Sequence, residues 1–184
     1  NAPKNALKIM RHTFGLPTGL WAGDEQVHFG DPTRGSELCT AVEMMYSLEE
    51  MLQATADLQW ADHLERVAYN ALPTQATDAY DGRQYYQQTN QIACSREWRN
   101  FVTQHEDNDN LFGVLNGYPC CSCNMHQGWP KFTQNLWYAS KDGGLAAFVY
   151  APSTVTAKVS GGVEVSLKQE TLYPFDETVK VTVS

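Results

Sequence analysis

Along this chain the spacing of apolar residues changes period once, and that change narrows the folds open to it. Up to about residue 140 the apolar residues recur at helical intervals; from Gly144 onward they alternate with a period of two. Leu38, Val42, Met45 and Leu52 follow one another at steps of four, three and seven, with Ala41, Leu48 and Met51 widening the stripe. Ser36 reads as the N-cap of that helix, with Glu37 in a first turn whose dipole favours a carboxylate. Asp57 reads as the cap of a second helix carrying Trp60, Leu64, Val67 and Ala71 and ended by Pro73, so the two form a helical hairpin. Asn1 to His12 read as the end of another helix, anchored by Leu7, Ile9 and Met10. Met125, Trp129, Phe132, Leu136 and Trp137 mark one more, interrupted near Gly128 and Pro130. Residues 145–150, 153–159, 163–169 and 178–184 read as strands, with turns at Asp142-Gly143-Gly144 and Ser160-Gly161-Gly162. The expected fold class is therefore α+β, with helices over 1–140 and antiparallel strands over 141–184. So few strands do not close a sandwich alone.

The 184 residues are 42% hydrophobic and 18% charged, enough apolar content for a packed core. A formal net charge of −8 argues against nucleic acid or an anionic membrane as partner, because binding phosphates needs a cationic face. No apolar run is long enough to span a bilayer, and no signal peptide is visible at Asn1. The sequence opens without Met in a polar helical stretch, which fits a fragment or processed product.

Two other stretches stand out. Residues 12–36 form a long glycine-containing loop that carries Trp21, Asp24, Glu25, His28 and Asp31; loops of this length are usually functional or disordered, and the aromatic and glycine content favours function. In Gln84-Tyr85-Tyr86-Gln87-Gln88-Thr89-Asn90-Gln91, aromatic rings lie beside amides, a combination suited to sugar hydroxyls and equally to a surface strand. Glu106 to Asn110 read as a solvated acidic loop without the glycine and closing glutamate of a calcium loop.

Chemistry concentrates in the thiols. Three of the five cysteines fall in Pro119-Cys120-Cys121-Ser122-Cys123-Asn124, and a fourth sits in Glu37-Leu38-Cys39. Adjacent cysteines pair with each other only through a strained ring, and an odd count does not suit a disulfide framework. Zinc takes thiolates and carboxylates in a tetrahedron, and Glu37, Cys39, Cys120 and Cys121 would complete one, with Cys94 and Cys123 as substitutes. A metal-bound thiol is a thiolate, the reactive form, and Glu25 in Gly23-Asp24-Glu25 is a candidate acid. A nucleophile plus an acid is the two-group layout of a retaining glycosidase.

Gly23-Asp24-Glu25, the run Asp31-Pro32-Thr33-Arg34-Gly35-Ser36-Glu37-Leu38-Cys39, the run from Pro119 to Phe132, and Thr171-Leu172-Tyr173-Pro174-Phe175 together resemble the β-L-arabinofuranosidase family, glycoside hydrolase family 127 and its relatives. The resemblance runs through essentially the whole chain. It implies the carboxy-terminal part of an (α/α)6 barrel, its amino-terminal half absent, followed by the start of a β-sandwich domain. It implies release of terminal β-L-arabinofuranose from an oligosaccharide or glycan with retention of configuration. Zn2+ would be held by Glu37, Cys39, Cys120 and Cys121, with Cys120 as nucleophile and Glu25 as acid/base. The segment matching Tyr85 to Asn90 supplies a tyrosine contact to the sugar in the family, a position that Gln87 or Gln88 would occupy here. A bacterial cytoplasm or periplasm is the compartment it suggests. Two other readings stay open on the residues alone: a module in which zinc only staples helices together, and a thiol redox protein using the vicinal cysteines.

Overall fold

The computed structural model describes residues 2–184. Helix α1 spans Ala2–Phe14 and has no fully buried side chain. A two-residue strand β1, Ser36–Glu37, runs directly into the long helix α2, Leu38–Thr55. Ser36 is therefore not an N-cap: its backbone is extended, and its hydroxyl donates to the Trp21 carbonyl at 2.9 Å. Glu37 is the capping residue, with extended backbone angles and no capping hydrogen bond from its side chain. Pairing with another strand, which periodicity along one segment does not report, overrides the local capping preference.

At the other end of α2, Ala56 adopts a left-handed φ of 52° and its N–H closes on the Leu52 carbonyl at 2.8 Å. Asp57 then caps α3, Leu58–Arg66, by accepting from the Gln59 N–H at 3.1 Å, as expected. The helix continues as a π-turn over Val67–Ala71 and a short turn α4, Leu72–Thr74. Pro73 does not end this path; it lies within the last helical turn, which runs on to Thr74.

Strand β2, Tyr86–Gln87, pairs antiparallel with β1, setting Glu37 opposite Tyr86. A long irregular segment leads to α5, Cys120–Gln134, which passes through Gly128 and Pro130 without a break. A side chain at Gly128 would meet Leu72 Cδ2 at 2.7 Å, so glycine lets α5 lie close on the α4 turn. That packing, with Cys121, Gly128 and Phe132 buried, outweighs the one hydrogen bond that Pro130 forfeits. The core gathers Leu38, Val42, Met45, Leu48 and Leu52 of α2 against Trp60 and Leu64 of α3 and Phe132 of α5.

Beyond α5 the chain is β. Trp137–Ala139 (β3) and Leu145–Ala147 (β4) pair, the latter shorter than its sequence pattern suggests. Ser153–Lys158 (β5), Glu164–Thr171 (β6) and Val179–Val183 (β7) form an antiparallel sheet in sequential order. The change from helix to strand falls between Gln134 and Trp137. The α+β order of helices followed by antiparallel strands is thus observed. Among the described residues no helix is long and apolar enough to cross a membrane.

Candidate active site

Three segments remote in sequence meet at the start of α5. The first is the junction of β1 with α2, which brings Glu37 and Cys39. The second is the first turn of α5, which brings Cys120 and Cys121. The ligand atoms of these four residues all lie within 4.8 Å of one another. Cys39 and Cys121 Sγ are 3.3 Å apart, and Glu37 Oε1 is 3.6 Å from both Cys120 and Cys121 Sγ. A tetrahedral ion with zinc-like bond lengths would set sulfur–sulfur edges of about 3.8 Å and sulfur–oxygen edges of about 3.5 Å. The two Glu37–sulfur edges at 3.6 Å match this, the Cys39–Cys121 edge at 3.3 Å is about half an ångström short, and three sulfurs with one carboxylate oxygen is a donor set zinc accepts. The structure supports a metal-binding cluster here. Cys94 and Cys123 lie outside it; both are exposed, and the Cys94 thiol sits against the Gln91 amide at 3.2 Å.

The electrostatics agree with a cation. Burial pushes the Cys120 thiol up to about 11. The hydrogen bond with Cys39, and burial after it, raise Cys121 well above the ordinary thiol range, while that same bond holds Cys39 below it. Three thiols and a carboxylate packed together do not all ionise unless positive charge joins them.

Glu25 is the third segment. Gly23 bridges to Val27 and to Ser36, a tight loop that carries Glu25 with a left-handed φ of 76°. Non-glycine residues hold that conformation only where their surroundings enforce it, and such strain clusters at functional sites. Buried Asp24 enforces it: one carboxylate oxygen engages His28 Nε2, and the other accepts from the Val102 N–H at 3.2 Å. Glu25 Oε1 then accepts from two hydroxyls, Tyr85 at 2.5 Å and Tyr86 at 3.1 Å. The Tyr85 oxygen also lies 3.7 Å from Cys120 Sγ. The sum of 2.5 and 3.7 Å, 6.2 Å, is the largest separation that Glu25 Oε1 and Cys120 Sγ can have. Burial, then the hydrogen bonds with Glu25 and Cys120 and the charge of Glu37, hold the Tyr85 hydroxyl protonated; it donates to Glu25 and its oxygen faces the Cys120 thiol.

Tyr85 and Tyr86 stand out in the sequence only as aromatics among amides. Nothing in it marks Arg83, which is wholly buried. Its guanidinium donates to the carbonyls of Val114, Asn116 and Tyr118 and to Ser122 Oγ, tying the approach loop to the first turn of α5. Gly117 in that loop has φ 68°, and a side chain there would overlap Tyr85 Cβ at 2.4 Å. Gln87 and Gln88 are turned to other partners: Gln87 Nε2 donates to Thr74 Oγ1 at 2.5 Å, and Gln88 Nε2 to the Thr33 carbonyl at 2.6 Å. The segment Glu106–Asn110 is not a solvated loop, since Asp109 and Asn110 are each 2% exposed. Both are buried because they serve the tyrosine strand: the Asp109 carbonyl accepts from the N–H groups of Tyr85 and Tyr86, and Asn110 Nδ2 donates to the Tyr86 carbonyl.

The helical scaffold folds Glu-x-Cys against a vicinal cysteine pair, with a glutamate in left-handed backbone held beside it by two tyrosines. Residues 23–134 match the β-L-arabinofuranosidase, GH127 catalytic domain, and the chain belongs to that family. Solved structures agree in fold. A GH127 β-L-arabinofuranosidase from Geobacillus stearothermophilus T6 superposes with a TM-score of 0.70 at 20% identity, covering 94% of this chain and 27% of that one. A second GH127 β-arabinofuranosidase gives 0.75 at 18% identity, covering 96% and 26%, and a further glycoside hydrolase 0.61 at 20%, covering 84% and 24%. The chain thus spans about a quarter of the length of these structures. No curated protein matches it.

Proposed function

We propose that this chain carries the nucleophile, the acid/base and the metal ligands of a retaining β-L-arabinofuranosidase. The observation behind this is the convergence of Glu37, Cys39, Cys120 and Cys121 within 4.8 Å, with Tyr85 joining Cys120 to Glu25. A zinc ion bound by these four would supply the positive charge that keeps the thiols ionised.

Cys120 Sγ attacks the anomeric carbon of a terminal β-L-arabinofuranose. The glycosidic bond breaks as Glu25 gives its proton to the departing oxygen, leaving a thioglycosyl enzyme. Glu25 then takes a proton from water, the water oxygen attacks the anomeric carbon, and Cys120 leaves as thiolate. Two displacements give net retention. Retaining pairs stand about 5–5.5 Å apart and inverting pairs about 6.5–9.5 Å, to admit a water. The ceiling of 6.2 Å between Glu25 and Cys120 favours retention. Tyr85 is better placed than Gln87 or Gln88 to touch the sugar, because the two amides are engaged elsewhere.

On this reading residues 1–140 form part of an (α/α)6 barrel and 141–184 begin a β-domain. The rest of the pocket wall comes from sequence beyond this chain, and the substrate is an arabinose-containing oligosaccharide or glycan. The test uses the protein that carries this chain with an aryl β-L-arabinofuranoside. Cys120→Ala should abolish turnover. A slow substrate should leave one pentosyl unit on the Cys120 peptide, and Glu25→Gln should lower kcat by about 10²–10⁴-fold. Turnover surviving Cys120→Ala, or no adduct under trapping, overturns the nucleophile. A Glu25→Gln variant as active as wild type overturns Glu25 as the acid/base, and a wild-type protein that binds zinc but is inert on the arabinoside leaves only a zinc staple.

A further inference from the structure

We infer that His105 and Asp109 form a positioning pair that sets the Tyr85 hydroxyl between Glu25 and Cys120; this rests on the glycosidase reading above. A carboxylate only accepts, so His105 Nδ1 donates to Asp109 Oδ1, at 2.7 Å, while Asp109 Oδ2 accepts the backbone N–H of His105 at 2.9 Å. Both oxygens of a buried carboxylate are thus spent on one residue, and the imidazole has a single orientation. Its ring meets the Tyr85 ring edge-on at 4.9 Å and lies 6.4 Å from that of Tyr118, the last aromatic before Pro119-Cys120.

The same Asp109 accepts through its carbonyl from the N–H groups of Tyr85, at 2.9 Å, and Tyr86, at 3.1 Å. One loop therefore controls both the backbone that carries the tyrosines and the ring packed on Tyr85. To fold back this sharply, the loop puts Glu106 and Asp107 in left-handed conformations, φ 58° and 56°, which non-glycine residues keep only under constraint. The placement has little slack to give. The Tyr85 oxygen is 2.5 Å from Glu25 Oε1 and 3.7 Å from Cys120 Sγ, and a shift of the ring by an ångström breaks the first contact. Among the described residues neither His105 nor Asp109 hydrogen-bonds Glu25 or Cys120, so both act through the tyrosines: Tyr85, which touches both groups, and more loosely Tyr86, whose ring lies 6.3 Å from that of His105.

The experiment uses the protein that carries this chain and has two readouts. In turnover of an aryl β-L-arabinofuranoside, His105→Ala should lower kcat about 100-fold, with KM changed by less than about threefold and bound zinc unchanged. His105→Asn, which keeps a donor toward Asp109 at the Nδ1 position, should recover about tenfold of that loss. A wild-type kcat in His105→Ala, a loss confined to KM, or equal losses in Ala and Asn overturns the proposal. The second readout needs no turnover. With 3-fluorotyrosine at position 85, the ¹⁹F resonance should shift and broaden in His105→Ala and in Asp109→Asn. An unchanged resonance in both overturns the proposal. Should His105→Ala not fold, Asp109→Asn carries the same reading. A wild-type protein inert on the arabinoside defeats the glycosidase reading by itself, and the ¹⁹F resonance then decides the positioning role alone.

Discussion

Glu49 shows how much a single side chain can carry away from the active site. It sits on the buried face of α2, with one oxygen accepting from Asn135 Nδ2 at 3.0 Å and the other buried without a partner. Burial raises its carboxyl from an ordinary 4.5 to about 7. The folded state therefore holds this proton more tightly than the unfolded chain. The stabilisation is complete below about pH 4.5 and is lost as pH rises through about 7. Glu49→Gln imitates the protonated form and keeps an acceptor for Asn135. It should match wild type near pH 4.5 and exceed it by about 2–3 kcal/mol at pH 8. Urea midpoints at the two values check this, and a variant equal to wild type at pH 8 would show that the carboxylate is solvated there.

Among the elements, the join between the approach loop and α5 decides the site. Among the described residues Arg83 has no carboxylate partner; carbonyls and one hydroxyl take its donors while its guanidinium stays buried. Removing it takes the donors from three carbonyls and one hydroxyl at once. Arg83→Met should cost about 3 kcal/mol, because the loop loses a set of charge-assisted hydrogen bonds made from a buried side chain. Denaturant unfolding of the chain measures it; a loss below about 1 kcal/mol would mean that water reaches the loop. Helix α5 makes the related point that packing can outvote propensity. Its own sequence holds glycine and proline two residues apart, yet it runs unbroken, since Gly128 is where it lies against Leu72.

At the scale of the molecule, the four-residue cluster ties the α2 start to the α5 start, so a metal bound there would stabilise the helical part as a whole. Zinc at a hundred times its dissociation constant should add about 2.7 kcal/mol to unfolding, and a strong chelator should remove it. Cys39→Ser and Cys121→Ser should respond to neither. An unfolding midpoint indifferent to zinc in the wild-type chain would sink the metal reading. The helical stripes, the Asp57 cap, the later strands and the Glu-x-Cys and vicinal cysteine motifs were all readable in the sequence, because each depends on spacing within a few residues. What the tertiary structure alone decided is contact across long separations. It turned Ser36 into a strand residue paired with Gln87, buried Asp109 beneath the tyrosine strand, and placed Tyr85 between Glu25 and Cys120. Periodicity reports which face of a segment is apolar. It carries no information about which remote backbone groups will close that segment's hydrogen bonds, and here those bonds shape the site.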